Sequence, residues 1–102
     1  MNVSVTVRPE AQEEWKEAYL WYESKESGLG DRFTNDVLEC VERIQEHPKA
    51  FPVALGLARK AKLRIFPYSI FYEWAEHALV LHVIFHDSRD PEVWKKRLNR
   101  IE

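Results

Sequence analysis

The segment Leu79-Val80-Leu81-His82-Val83-Ile84-Phe85 is the most informative part of the chain about its fold, because all but one of its residues are apolar. A short apolar run rich in branched side chains predicts a strand that is buried on both faces and lies inside a sheet. His82 interrupts the run, and we expect it to be a core histidine with satisfied hydrogen bonds. Glu76-His77 predicts a hairpin turn before this strand, and Ser69–Trp74 predicts the strand before that turn.

Two further segments alternate with the period of a strand. In Arg59–Ile65, apolar residues alternate with Lys60, Lys62 and Arg64, so one face of this predicted strand is cationic. Alternating valines predict another strand over Val3–Val7. This strand lies at the edge beside the buried strand or reaches it by a crossover, and both arrangements stay open.

Two consecutive segments have the pattern of amphipathic helices. The first begins at Pro9, which suits the first helical position, and Ser27-Gly28-Leu29-Gly30 ends it. The second ends near His47-Pro48, because the residue before a proline avoids helical geometry. The apolar stripes of the two helices consist of Ala11, Trp15, Ala18, Tyr19 and Tyr22 in the first, and Phe33, Val37, Cys40, Val41 and Ile44 in the second.

The last segment predicts a short helix over Glu92–Ile101, with Asp90 as its cap and Pro91 in its first turn. The element order is therefore β-α-α-β-β-β-α. A short connection between two amphipathic helices predicts an antiparallel hairpin. We predict one α+β domain over residues 1–102, in which the helical hairpin packs on one face of a four-stranded, mainly antiparallel sheet.

Composition excludes several classes of protein. The 102 residues are 45% hydrophobic and 31% charged, which is ordinary for a globular domain and excludes collagen-like and disordered classes. No apolar run approaches the roughly 20 residues of a membrane helix, and the N-terminal residues lack the pattern of a secretory signal. The single cysteine, Cys40, excludes an intrachain disulfide and a cysteine-based zinc site. We therefore expect a cytoplasmic protein with no membrane contact.

The net charge of -2 conceals an asymmetry between the two halves of the chain. Residues 9–51 contain 11 acidic and 5 basic side chains, whereas residues 52–102 contain 6 acidic and 9 basic ones. A strongly basic protein would indicate nucleic-acid binding by bulk electrostatics, and this chain does not. A local basic surface remains compatible with the sequence.

Lys60, Lys62 and Arg64 form the first group that could carry chemistry. Alternation places the three cations on one face of a strand, about 7 Å apart. Such a row suits a polyanion or an acidic peptide. A solvated sheet face is the alternative, since charged side chains are mostly exposed.

The second group follows the buried strand, in the segment His86-Asp87-Ser88-Arg89-Asp90-Pro91. His86 titrates near neutral pH and could act as a general acid or base, and Arg89 could bind a phosphate or carboxylate. Alternatively, Arg89 pairs with Asp87 or Asp90 and orders the turn. The sequence contains no metal-ligand spacing and no glycine-rich phosphate loop, so we predict no metal and no cofactor.

Four motifs carry a family resemblance, and they keep their order over nearly the whole chain. They are Ala18-Tyr19-Leu20-Trp21-Tyr22-Glu23 with Gly28-Leu29-Gly30-Asp31-Arg32-Phe33, then His47-Pro48-Lys49-Ala50-Phe51-Pro52, then Arg64-Ile65-Phe66-Pro67-Tyr68-Ser69-Ile70-Phe71-Tyr72, and finally His86-Asp87-Ser88-Arg89-Asp90-Pro91-Glu92-Val93-Trp94. Together these motifs resemble the RelE/ParE toxin superfamily.

The resemblance implies the toxin of a bacterial type II toxin–antitoxin, or plasmid stabilisation, module. Such a toxin has a small α+β fold, inhibits growth, and is neutralised by a cognate antitoxin, with which it can form a hetero-oligomer. Two activities occur in the superfamily. RelE-like members cut messenger RNA on the ribosome without a metal, whereas ParE-like members poison DNA gyrase and are not nucleases.

The resemblance assigns different residues to the two activities, and it leaves open whether the protein is an enzyme. A metal-independent endoribonuclease would use His86, Arg64 and Arg89, with Lys60 and Lys62 binding the message. Ser69 stands where RelE has an arginine, and Trp94 stands near the place of its tyrosine, although an indole cannot transfer a proton as a phenol can. A gyrase poison would use a contact surface made by Lys96, Arg97 and Arg100 near Arg89. The Arg-Asp-Pro ending favours the ParE-like branch.

Overall fold

The computed structural model describes residues 4–101, so Val3 of the predicted first strand lies outside it. Within this range the chain forms β1 (Ser4–Val7), α1 (Pro9–Lys25), α2 (Leu29–Glu46), β2 (Val53–Leu55), β3 (Ala58–Lys62), β4 (Tyr68–Ala75), β5 (Ala78–His86) and α3 (Glu92–Ile101). The predicted α+β class and the helical hairpin are confirmed. The sheet of the described residues has five strands rather than four, because the short strand β2 was not predicted.

The strands form a single sheet in the order β1-β5-β4-β3-β2. The apolar run is β5, and it lies between β1 and β4 as its burial on both faces predicts. The pair β1–β5 is parallel and the other neighbours are antiparallel. Glu76 and His77 form the turn between β4 and β5 with φ of 51° and 64°, which is the left-handed geometry that suits the twist of a hairpin.

Each face of the sheet has its own apolar core. The hairpin of α1 and α2 covers one face, with Phe33, Val37, Cys40 and Ile44 fully buried against the strands. The third helix covers part of the other face, where Leu98 is buried. The residues buried with Leu98 are Ala58, Phe71, Val83 and Phe85, and Trp94 packs against them.

The two helices of the hairpin cross closely at Gly30. A Cβ atom at this position would lie 2.8 Å from the carbonyl oxygen of Tyr19 and 2.9 Å from Oε1 of Glu23. The carboxylate of Glu23 accepts hydrogen bonds from the backbone N–H groups of Gly28 and Gly30, both at 2.9 Å. One side chain of α1 therefore satisfies the free donors at the start of α2.

A β-bulge in β5 reverses the alternation of its side chains. Tyr72 pairs with Leu81 and Phe71 pairs with Val83, so His82 is an extra residue in the ladder. Leu81 consequently faces the helical hairpin, whereas Val83 faces α3. His82 is buried as expected, but neither ring nitrogen has a hydrogen-bond partner among the described residues, so the expectation of a satisfied core histidine is wrong.

Candidate functional site

His86 and Arg89 line the same cavity, which has a volume of about 480 Å³. His86 is the last residue of β5, and Arg89 lies in the turn that leads to α3. The opposite wall comes from α1, which contributes Glu17, Trp21 and further residues. The remaining lining residues are Glu14, Ala18, Tyr22, Tyr68, Ile84 and Ser88. The tertiary structure thus brings together two of the three residues predicted for catalysis.

The imidazole of His86 is held by Ser88. The backbone N–H of Ser88 donates to Nδ1 at 3.1 Å, and the Ser88 hydroxyl lies 2.8 Å from the same nitrogen. A backbone N–H can only donate, so Nδ1 accepts, and this network assigns the proton of a neutral ring to Nε2. The ring also packs edge-on against Tyr68, with their centroids 4.9 Å apart. The Nε2–H of a neutral His86 ring can therefore donate a hydrogen bond, whereas Nδ1 is occupied by Ser88.

Aromatic side chains form much of the cavity wall, and their phenols stay protonated. The pKa of Tyr68 is raised to about 12, mainly by burial and to a smaller extent by the neighbouring Tyr22. The positive charge of Arg89 lowers this pKa but does not outweigh them. Burial also raises the pKa of Tyr22. Trp21 is 56% exposed at the rim, and Lys25 lies 5.0 Å from its ring centroid. These rings provide an apolar contact surface and no base near neutral pH.

Arg89 does not order its own turn by ion pairing. Its guanidinium lies over the ring of Phe85, 5.2 Å from the centroid, and forms no ion pair with Asp87 or Asp90. Asp90 instead accepts the backbone N–H of Glu92 at 3.0 Å, which confirms Asp90 as the cap of α3. Arg89 is exposed, so its charge remains available to a partner.

Lys60 and Lys62 lie on the face of β3 that is directed away from the helical hairpin. Both are exposed, and Lys60 Nζ lies 6.0 Å from the ring centroid of Phe71. Lys62 forms an ion pair with Asp87, which also accepts a 2.7 Å hydrogen bond from the Ser69 hydroxyl. Burial would raise the pKa of Asp87, but the hydrogen bonds from Lys62 and Ser69 and the charges of both lysines outweigh it and lower that pKa.

Arg64 does not belong to the row formed by Lys60 and Lys62. The strand β3 ends at Lys62, and Arg64 lies in the following turn with its Nη1 3.3 Å from Oε2 of Glu39 on α2. The predicted strand over Arg59–Ile65 is therefore too long at its C-terminal end. The strand ends early because of Asp36 on α2. The buried carboxylate of Asp36 accepts hydrogen bonds from the backbone N–H groups of residues 65 and 66, at 3.0 and 2.8 Å, and holds this segment against α2.

The three cations predicted on the last helix have different environments. Lys96 and Arg100 are exposed. Arg97 is only 15% exposed and binds the carboxylate of Glu14 through both terminal nitrogens, at 2.9 and 2.7 Å. Its guanidinium also donates to the carbonyl oxygen of His82 at 3.3 Å. Arg97 thus joins α3 to α1 and to β5, whereas Lys96 and Arg100 make no such connection among residues 4–101.

Sequence reasoning missed the aromatic wall of the cavity. Trp21 and Tyr68 were considered only as parts of motifs or of the core. A usable signal was present for Trp21, because this large aromatic residue lies outside the apolar stripe of α1. No comparable signal existed for Tyr68, whose approach to His86 depends on the pairing of β4 with β5.

Comparisons with known proteins agree with this architecture. Residues 5–91 match the family model described as ParE toxin of type II toxin–antitoxin system, parDE. The chain therefore belongs to the ParE toxin family. This assignment confirms the resemblance to the RelE/ParE superfamily, makes the protein a ParE-type toxin of a type II toxin–antitoxin system, and implies an antitoxin partner. A comparison with curated proteins gives no significant match.

Two solved structures show the same fold. One is described as the chromosomal ParDE TA system from P. aeruginosa, with a TM-score of 0.71 and 16% identity over 82% of this chain and 95% of that chain. The other is the isolated RelE toxin of E. coli, with a TM-score of 0.56 and 18% identity over 98% of this chain and 99% of that chain. Within residues 4–101, no helix has the length and apolar character needed to cross a membrane.

Proposed function

We propose that this ParE-type toxin arrests growth by binding DNA gyrase and that its antitoxin neutralises it. The observation that carries this proposal is the state of His86, whose basic nitrogen is held by the Ser88 N–H. Cleavage of RNA by its own 2′-hydroxyl needs a base that removes a proton and cations that stabilise the phosphate. Inhibition of a protein target needs neither.

The distribution of the cations supports the same conclusion. Arg64 pairs with Glu39 beside α2, and Lys62 pairs with Asp87. Among the cations of residues 4–101, Arg89 alone lines the cavity of His86. Because electrostatic catalysis requires donors directed at one developing charge, this dispersed set is a poor fit to ribonuclease chemistry.

Exposed cations near the end of the chain provide the contact surface for a protein target. Arg89 lies in the turn before α3, and Lys96 and Arg100 lie on α3 itself. Charges at the rim of an interface mainly determine association rate and partner choice. Arg97 contributes to this surface by positioning α3, since its own guanidinium is engaged with Glu14.

The experiment compares growth arrest on induction with two reactions in vitro, supercoiling by purified gyrase and cleavage of a ribosome-bound message. We expect the wild type to inhibit supercoiling and to leave the message intact. His86→Gln should retain inhibition, whereas Arg89→Glu and Lys96→Glu should weaken it. Lys16→Glu is the matched control, because it reverses the same charge at an exposed position of α1. Circular dichroism and antitoxin binding would verify that each variant is folded.

A RelE-like, ribosome-dependent endoribonuclease is the second candidate. It is favoured by one observation, namely that the Nε2 proton of His86 and the guanidinium of Arg89 line one cavity. Loss of a general acid or base typically lowers a rate by about 10²–10⁴-fold. Codon-positioned cleavage by the wild type that disappears in His86→Gln would establish this activity and refute the gyrase proposal.

We also propose that the antitoxin is an extended, partly disordered chain that wraps the toxin into a hetero-oligomer. Trp21 is 56% exposed and lines the 480 Å³ cavity, and the preceding residue of α1, Leu20, is 55% exposed. Exposed large apolar side chains beside a cavity mark interaction sites, and disordered segments that fold on binding cover such surfaces. The two co-expressed proteins should elute together from a sizing column at micromolar concentration. Separate elution would contradict the proposal.

A further inference from the structure

A second cavity, of about 220 Å³, lies where β1, α1, β5 and α3 meet. Its lining residues are Arg8, Glu10, His82, Arg97 and Arg100. The β-bulge in β5 places His82 there, and the ion pair with Glu14 fixes Arg97 beside it. No residue of this cavity lines the one that contains His86.

The buried imidazole of His82 needs a partner. The residue is 6% exposed, and neither ring nitrogen makes a hydrogen bond among residues 4–101. Glu73 is its nearest acidic neighbour, with Oε2 3.6 Å from Nε2, which is too far for a hydrogen bond. Buried polar groups in native proteins nearly always have a partner, so an unpaired ring that lines a cavity points to a ligand.

Cations dominate the lining of this cavity. Three of its five lining residues are arginines, and the one acidic residue that lines it within residues 4–101 is Glu10. Arg97 is neutralised by Glu14, whereas Arg8 and Arg100 form no ion pair among the described residues. Arg8 and Arg100 are both exposed, so their charges are open to an anion that enters from solvent.

We propose that this cavity binds a phosphate group, either inorganic phosphate or a small phosphate monoester. Arg8 and Arg100 bind its oxygens through their guanidinium groups, and His82 donates a ring N–H. Guanidinium groups match phosphate in charge and in geometry. The cavity volume of about 220 Å³ lies below the roughly 300–1,000 Å³ of pockets that bind larger ligands, so the cavity fits a small anion. This proposal is independent of the target of the toxin.

Binding should couple to protonation of His82. Burial is the main cause that lowers the pKa of this histidine. The negative charges of Glu73 and Glu10 raise this pKa, and the positive charge of Arg8 lowers it further. A bound anion favours the imidazolium, so phosphate binding should raise the pKa of His82 above that of the unliganded protein. The charged groups that face His82 are Glu73 on β4, Arg8 after β1, Glu10 on α1, and Arg97 and Arg100 on α3.

The test is a titration of the full chain with inorganic phosphate at constant ionic strength, followed through the His82 ring resonances and by calorimetry. We expect saturable binding that shifts the His82 ring resonances and raises the pKa of this histidine. Arg100→Gln should weaken it about tenfold or more, because a charge-assisted hydrogen bond is lost. Lys96→Gln is the matched control, since it removes the same charge from α3 outside the cavity. Arg8→Gln provides a second variant that leaves β5 and α3 unchanged.

Parallel titrations separate the two sources of phosphate. Tighter binding of glycerol 3-phosphate than of inorganic phosphate would identify a monoester as the ligand, and the reverse order would identify the free ion. Acetate should bind more weakly than either. The proposal is overturned if the wild type shows no saturable binding at millimolar phosphate, if acetate binds as tightly, or if Arg100→Gln and Lys96→Gln behave alike.

Discussion

Glu14 and Arg97 are 83 positions apart in the chain and form a bidentate ion pair, in which both side chains are at most 15% exposed. The pair also completes the sheet. The strand β1 pairs with β5 only as far as Leu81, and beyond this point Glu14 Oε1 accepts the backbone N–H of Ile84 at 3.0 Å. Arg97 donates to the carbonyl oxygen of His82. Two charged side chains thus take the place of a missing strand.

Replacing Glu14 with alanine should lower the free energy of unfolding by about 3–5 kcal/mol, because the buried charge of Arg97 and the N–H of Ile84 lose their partner. Urea denaturation would measure the loss. Glu92→Gln is the control, since it breaks the exposed pair with Lys95 and should change stability by less than about 0.5 kcal/mol. Equal effects of the two substitutions would mean that the Glu14–Arg97 pair is solvated.

Gly30→Ala should destabilise the toxin by about 1–3 kcal/mol, because the new methyl group would overlap the backbone of Tyr19. Thermal denaturation would show a lower melting temperature. Gly56→Asn is a suitable control at an exposed turn with φ of 57°, a conformation that asparagine tolerates. Alanine is a better helix former than glycine, so Gly30→Ala would stabilise the protein if there were room for the methyl group. A more stable variant would therefore contradict the close crossing of the helices.

The pH dependence of stability should contain a contribution from Asp87. The pKa of this carboxyl is lowered in the folded state, so its stabilisation is present above the unfolded value of about 3.9 and is lost as the pH falls through the folded value. Wild type and Asp87→Asn should therefore differ most near neutral pH and converge in acid. Ser69→Ala removes one donor and should reduce the difference. A difference that grows as the pH falls would refute this assignment.

The two tryptophans of α1 should respond differently to truncation. Trp15 packs against the core and donates its indole N–H to the Thr34 hydroxyl at 3.1 Å, whereas Trp21 is 56% exposed. Trp15→Ala should lower stability by roughly 3 kcal/mol, and Trp21→Ala by less than about 0.5 kcal/mol. Chemical denaturation of both variants would measure this contrast, and similar losses would mean that the buried face of α1 is misassigned.

The turn between β4 and β5 should accept a stabilising change. Glu76 and His77 both have left-handed φ, which costs non-glycine residues about 1–2 kcal/mol each. The double substitution Glu76→Asn with His77→Gly should raise the melting temperature, because this pair is preferred in tight hairpins. An unchanged or lower melting temperature would mean that the native side chains make compensating contacts.

The elements whose burial follows a simple period were predictable from the amino-acid sequence. The apolar stripe of α2, the two-sided burial of β5 and the Asp90 cap of α3 were each readable from a few neighbouring residues. The order of motifs also identified the superfamily. These features are local, because backbone geometry fixes which side chains share a face of a helix or a strand.

The contacts between charged residues, in contrast, depend on how the chain folds in three dimensions. An Asp36 hydrogen bond turns Arg64 toward α2, a bulge directs His82 to the side of α3, and Glu14 captures Arg97. Periodicity cannot predict these outcomes, because each depends on a contact between residues distant in the chain or on one extra residue in a ladder. The predicted cations therefore lie in separate environments, and His82, which has no hydrogen-bond partner among residues 4–101, lies where the sequence indicated only core.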